Sequence, residues 1–245
     1  MGNMAEKKCK KIWLLLIIML SFILFSLIGC DKGIPDEVKI SMSNAVDTGD
    51  TEKVKTLIKQ YPSLVSTKDK YGNSPLHRVA ASGNIPLAEL LLTNGAAIND
   101  ISIHGWTPLH KAAYAGSGEM TRFLISKGAD VNVKDQQGYA PLHYSVVEKK
   151  VNTASALIEN GAQVNIKGGK GETPLHYAIL SGSEDMALML LKNGADRDAQ
   201  DDNGDTPVNY ALKNGNSEAE AMMQKLLSND NLHPPASGNS KAVDQ

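Results

Sequence analysis

Past residue 30 the sequence contains no cysteine: its only two, Cys9 and Cys30, lie at the N-terminus. The following two hundred or so residues therefore hold no disulfide and no thiolate metal site, and fold independently of redox compartment. Basic blocks are also missing after the first dozen residues. The formal charge of the whole chain is −2, and setting aside residues 1–29, which carry Lys7, Lys8, Lys10, Lys11 and Glu6, leaves −5. Such a balance gives no electrostatic footing for nucleic acid. One long apolar run, Ile12 to Ile28, is slightly long for a secretory signal and nearly long enough to span a membrane as a helix.

Motifs of small-molecule chemistry are equally scarce. Gly168-Gly169-Lys170-Gly171 has the composition of a phosphate loop without its Gly-x4-Gly-Lys-Ser/Thr spacing, and is read as a flexible hairpin tip. The acidic group Asp198, Asp201, Asp202 and Asp205 fails as a calcium loop, because Gly204 at the sixth position puts Ala199 first and Tyr210 twelfth. No serine or cysteine nucleophile stands with a base outside repeated structural slots. The chain is expected to be no enzyme and to use no cofactor, metal or small-molecule substrate.

What is present is repetition. Pro75, Pro108, Pro141, Pro174 and Pro207 stand 33 residues apart, and so do Gly72, Gly105, Gly138, Gly171 and Gly204. A period without drift predicts a solenoid, each copy one supersecondary unit leaning on its neighbours. Ser74, Thr107, Thr173 and Thr206 supply a helix N-cap, and the proline after each takes the first helical position, where its missing N–H costs nothing. Ala140 breaks that rule in the third copy, which weakens its helix start by about 1 kcal/mol. A second helix follows in each unit, with Leu91, Leu124, Leu157 and Leu190 in one buried column and Leu92, Ile125, Ile158 and Leu191 in the next. Gly95, Gly128, Gly161 and Gly194 close these helices as left-handed caps. His77, His110, His143 and His176 recur in one slot. Successive units lie roughly 10 Å apart, too far for two ligands of one metal, so each imidazole is expected to bind backbone between neighbouring turns.

The hexapeptides Gly72–His77, Gly105–His110 and Gly171–His176, with their Pro-Leu-His core, together with the Asn-Gly-Ala turns, resemble the ankyrin repeat family. The resemblance implies an all-α solenoid of helix-turn-helix units joined by short β-hairpin turns. Residues 36–228 form the repeat domain, with an N-terminal cap at 36–67 and five repeats at 68–228. The last repeat reads as a terminal cap, since Asn209 and Gln224 stand in otherwise apolar or His slots, and residues 229–245 read as a disordered tail. The family also implies a protein partner bound by the hairpin tips and the exposed side of the first helices. Carried onto this chain, those slots include Tyr71, Asn73, His104, Trp106, Tyr114, Gln136, Gln137, Tyr139, Lys170 and Glu172. Trp106 and Tyr139 either anchor the partner or pack on the preceding hairpin; both roles suit a large aromatic side chain.

At the N-terminus, four lysines and an apolar run form a signal-like segment, residues 1–29. Its end, Leu27-Ile28-Gly29-Cys30, resembles the bacterial lipobox, which implies cleavage before Cys30 and lipidation of its thiol; an uncleaved signal anchor is the alternative. Either way the lysines stay cytoplasmic and the repeats are exported. Asp31 resembles an inner-membrane retention signal, implying the periplasmic face of that membrane. Residues 30–35 then make a tether of which Asp31 to Pro35 spans at most about 18 Å. The expected function is a membrane-anchored, exported, noncatalytic adaptor or scaffold for one protein; the alternative is an immunity or antitoxin lipoprotein that inhibits an exported toxin such as a lipase.

Overall fold

The computed structural model describes residues 33–228. The leader, the lipidation expected at Cys30 and the tail at 229–245 lie outside the described residues. The chain divides into two units, residues 1–39 and 40–245. Of the first, only residues 33–39 are described; Lys39 there pairs with Asp36 at 2.9 Å. The remainder of this section concerns the second.

Twelve α-helices occur among the described residues. The cap region contributes α1 (Asp36–Thr48) and α2 (Thr51–Gln60), followed by a 3-10 turn at Pro62–Ser66. Five pairs follow at the predicted period: α3 (Pro75–Ser82) and α4 (Ile85–Thr93), α5 (Pro108–Ala115) and α6 (Gly118–Ser126), α7 (Pro141–Val147) and α8 (Val151–Glu159), α9 (Pro174–Leu180) and α10 (Glu184–Lys192), α11 (Pro207–Lys213) and α12 (Ala219–Leu227). First helices pack on first helices, α3 on α5 on α7 on α9 on α11, and second helices α6, α8, α10 and α12 do likewise. Each helix is too short to persist alone, so its stability comes from this stacking.

Every first helix begins at its Pro-Leu-His or variant. Leu76, Leu109, Leu142 and Leu175 point into the stack and are buried, while Val208 in the terminal unit is half-covered. The column Leu91, Leu124, Leu157 and Leu190 is fully buried; the adjoining column, Leu92, Ile125, Ile158 and Leu191, is only half-buried. Gly95, Gly128, Gly161 and Gly194 take φ between 87° and 94°, as their capping role requires. Asn209 and Gln224 are exposed on the terminal unit.

One expectation needs correction. The loops between units form no β-hairpins: no strand occurs among the described residues. Each tip is a tight turn closed by its own backbone, as in Asp69 N–H to Asn73 O at 3.0 Å and Gly72 N–H to Asp69 O at 2.9 Å. Neighbouring tips share a single backbone bond, Ile103 N–H to Tyr71 O at 3.0 Å and Gln136 N–H to His104 O at 3.1 Å. One bond per junction is too few to make a ladder.

The histidines join the units as expected. In α3 the Ser74 N–H donates to His77 Nδ1 at 3.1 Å, which fixes Nε2 as the protonated nitrogen, and Nε2–H donates to Trp106 O at 2.8 Å in the next repeat. His110 reaches Tyr139 O at 3.1 Å, His143 reaches Glu172 O at 3.3 Å and His176 reaches Asp205 O at 3.0 Å. The hydroxyls of Ser74, Thr107 and Thr173 lie 2.8–2.9 Å from the same Nδ1 atoms, so they secure the ring as well as the helix start. A second staple, not apparent from sequence, runs along the opposite loops. Asn132 Nδ2 donates to Gly161 O at 3.1 Å while its Oδ1 accepts from Gln163 N–H at 2.8 Å; Asn99 and Asn165 do the same in their units.

Candidate protein-binding surface

The loop tips are built by one side chain each. Asp69 Oδ1 accepts from Tyr71 N–H and Asn73 N–H at 2.8 and 2.9 Å, and Asp135 Oδ1 accepts from Gln137 N–H and Tyr139 N–H at 2.9 Å. Asp201 repeats the pattern, and Ser102 does so more weakly through its hydroxyl. Burial acts to raise the pKa of Asp69, but the hydrogen bonds from Asn73 and Tyr71 outweigh it and the net shift is downward. In the fourth repeat Gly168 occupies the aspartate register and has no side chain to offer.

Glu172 takes over that task from the far end of the turn. Its Oε2 accepts from Lys170 N–H at 3.1 Å, its Oε1 accepts from Tyr177 OH at 3.1 Å, and the residue is 2 % exposed. The expectation that Glu172 faces a partner is therefore overturned: a buried carboxylate at a turn without its aspartate is a structural replacement. Gly168 at the aspartate register was the available signal. The tip is also moulded rather than free. A Cβ on Gly169 would stand 2.0 Å from Gln137 O, so this close approach admits only glycine. Lys170 is exposed but lies apart from the groove described next.

Six of the ten expected contact residues line one groove of about 540 Å³: Tyr71, Asn73, His104, Trp106, Gln136 and Gln137. It draws on three successive repeats. Tyr71, His104, Gln136 and Gln137 are exposed, and Asn73 and Trp106 are half-buried. Ser102, Lys111, Asp135 and Tyr144 complete the lining and were not anticipated. Lys111 and Tyr144 share one register, the residue after each motif histidine or, in the last copy, Asn209; it holds Arg78 and Lys111 in the first two copies and Tyr144, Tyr177 and Tyr210 in the rest, and that shift from cation to tyrosine was the legible sign.

Trp106 forms the floor. Its Nε1–H donates to Asp135 Oδ2 at 3.1 Å, its ring lies 4.4 Å from that of Tyr144 and 5.6 Å from that of Tyr114, and the Lys111 ammonium sits 4.6 Å above it. Tyr144 OH also donates to Asp135 Oδ2, and burial, with that carboxylate, pushes the Tyr144 hydroxyl's pKa upward. Trp106 thus packs onto the repeat that follows, not the preceding hairpin. Tyr139 does the same: its ring edge lies where a side chain on Gly168 would go, and its hydroxyl lies 2.9 Å from that of Tyr177, to which it donates while Tyr177 donates to Glu172. Tyr139 is a packing residue between repeats. Tyr114 remains 47 % exposed beside the groove.

Desolvation lowers the pKa of Lys111, with Asp69 opposing. The four motif histidines are consumed by the stack, and burial holds His110 and His143 down to about 4. No group of three or more metal-ligating side chains occurs among the described residues.

A stack of helix pairs whose variable residues gather in a groove along the turn edge defines an interaction module. Models described as ankyrin repeats (3 copies) match residues 20–102, 41–135, 76–168 and 131–201, and one described as ankyrin repeats (many copies) matches residues 181–227. The chain belongs to the ankyrin repeat family. Among curated proteins no match to the chain was found. Ankyrin repeats are typically modules of protein–protein interaction, and their presence implies an interaction role for this chain.

Proposed function

We propose that this chain is an exported, lipid-anchored adaptor that holds one protein partner close to a bilayer, at the periplasmic face of the inner membrane. The observation that carries the binding half is the groove: six contact residues chosen from the repeat register converge on one cleft with an aromatic floor and exposed polar walls. Aromatic floors of this kind concentrate binding energy at interfaces. Supporting the anchor are the four lysines ahead of Ile12–Ile28 and the Leu27-Ile28-Gly29-Cys30 sequence. Two or three acyl chains on Cys30 would give a lasting attachment at about 0.8 kcal/mol per buried CH₂.

The test is photo-crosslinking in intact bacteria from an unnatural residue at Tyr71 or Gln136, with exposed Lys192 as the control position. One protein should crosslink from both groove positions and not from the control, and Cys30→Ser should abolish palmitate labelling and release the chain from the membrane. Crosslinks equal at all three positions, or membrane retention with no labelled lipid in the wild type, would refute the corresponding half.

A further inference from the structure

The charges around the groove are unevenly spent. Three carboxylates stand nearby, and all are engaged within the chain. Asp69 accepts from two backbone N–H groups and from Asn73 Nδ2. Asp100 pairs with Lys68 at 2.7 Å and accepts from Ile101 N–H. Asp135 accepts from two backbone N–H groups, Trp106 and Tyr144.

The cations are differently placed. Lys111 lies half-buried over Trp106 and Lys70 lies 4.8 Å from the Tyr71 ring centroid, and neither makes an ion pair among the described residues. In the register of Lys111 the other cation, Arg78, is tied to Asp47 and Ser43. A partly desolvated ammonium that lies over a ring face and makes no ion pair, Asp69 acting on it only from beyond bonding distance, gains from an incoming carboxylate, since such charge-assisted bonds are about twice as strong as neutral ones. Beside these cations the rim is apolar: Tyr71 is 51 % exposed and Ile103 52 %, joined through the backbone bond between their tips. Exposed apolar side chains next to unpaired cations mark a binding surface for something both anionic and greasy. The cleft's size falls within the about 300–1,000 Å³ typical of sites that bury a ligand.

On the footing of the adaptor role above, we infer that the partner presents an acidic peptide segment with interleaved apolar residues, its carboxylates meeting Lys111 and Lys70 and its apolar side chains lying on Trp106, Tyr71 and Ile103. The exposed Gln136 and Gln137 amides on the third-repeat wall are placed to bind its backbone.

Fluorescence anisotropy on the full chain in detergent micelles tests this with four probes: fluorescein-labelled dodecapeptides alternating Glu and Leu, Ser and Leu, or Lys and Leu, and a single-stranded dodecanucleotide. The Glu/Leu peptide should bind best and weaken as salt rises. Lys111→Met, which keeps the apolar stem, should cost that peptide about tenfold in affinity. Lys192→Met should change nothing. Equal or tighter binding of any other probe, or indifference to Lys111→Met in a variant whose circular dichroism melt matches the wild type, overturns the inference. Cellular crosslinks from Gln136 that persist unchanged in Lys111→Glu overturn it while leaving the adaptor role intact; absence of crosslinks from the wild type defeats the adaptor role itself.

Discussion

Mild acid should unfold this protein, and histidines rather than carboxylates should be responsible. His110 is 0 % and His143 1 % exposed, and each accepts a backbone N–H on Nδ1 while donating Nε2–H to a carbonyl of the next repeat. A second proton would have to sit on Nδ1, where it faces an N–H donor. Burial accordingly brings both pKa values from 6.5 down to about 4. A group depressed in the folded state and ordinary in the unfolded one contributes stability that is complete above about 6.5 and disappears as pH falls toward 4, because the unfolded chain takes up the proton first. By pH 5 each ring removes about 2 kcal/mol, a large share of a stability of about 5–15 kcal/mol. His77 is shifted the same way by burial and adds to the loss. Asp69, whose pKa is lowered, acts only below about 4, in a separate window. Urea unfolding followed by circular dichroism between pH 7.5 and 4.5 measures the slope. His110→Asn, the residue the chain itself uses at Asn209, should be less stable at pH 7 yet flatter with pH. A midpoint unchanged between pH 7 and 5 would refute this account of the histidines.

Other expectations concern single positions. Ala140→Thr places a hydroxyl beside His143 Nδ1, as at Thr107 and Thr173, and should raise stability by about 1 kcal/mol in urea melts. Lys149 holds φ at 55° in a position where other repeats have glycine; Lys149→Gly should gain about 0.5–1 kcal/mol despite losing the 3.1 Å bond to Ser181 O. Thr153 stands fully buried in the register of Leu87, Met120 and Met186 with its hydroxyl unpartnered, so Thr153→Met should stabilise by about 1 kcal/mol, read as a higher thermal midpoint. Trp106→Ala should lower stability by about 2 kcal/mol, since it strips packing from Tyr144 and one donor from Asp135.

The last of these marks the limit of what sequence alone reveals. Helix starts, left-handed caps and the histidine bridges follow from short-range rules, in which a proline, glycine or imidazole has one use at one spacing. Trp106 and Tyr139 were ambiguous because their partners, Tyr144 and Tyr177, lie in the next repeat, at a register that the first two copies fill with Arg78 and Lys111. The half-buried column at Leu92 looked identical to its neighbour because periodicity reports facing, not the depth of what covers it. Glu172 was misplaced for a similar reason. Its role depends on a side chain missing at Gly168, so the signal lay four residues away, in the gap at the aspartate register and not at Glu172 itself.

Ala140, Lys149 and Thr153 all belong to the third repeat, halfway along the array. In a structure held together by nearest neighbours, the weakest module need not be at an end. Opening here severs the array into fragments too short to stand by themselves, so the whole should melt in a single step from its centre outward. The same event removes Gln136, Gln137 and Tyr144 from the cleft. Ligand and integrity are thereby coupled: whatever occupies the cleft clamps the protein at its own fault line.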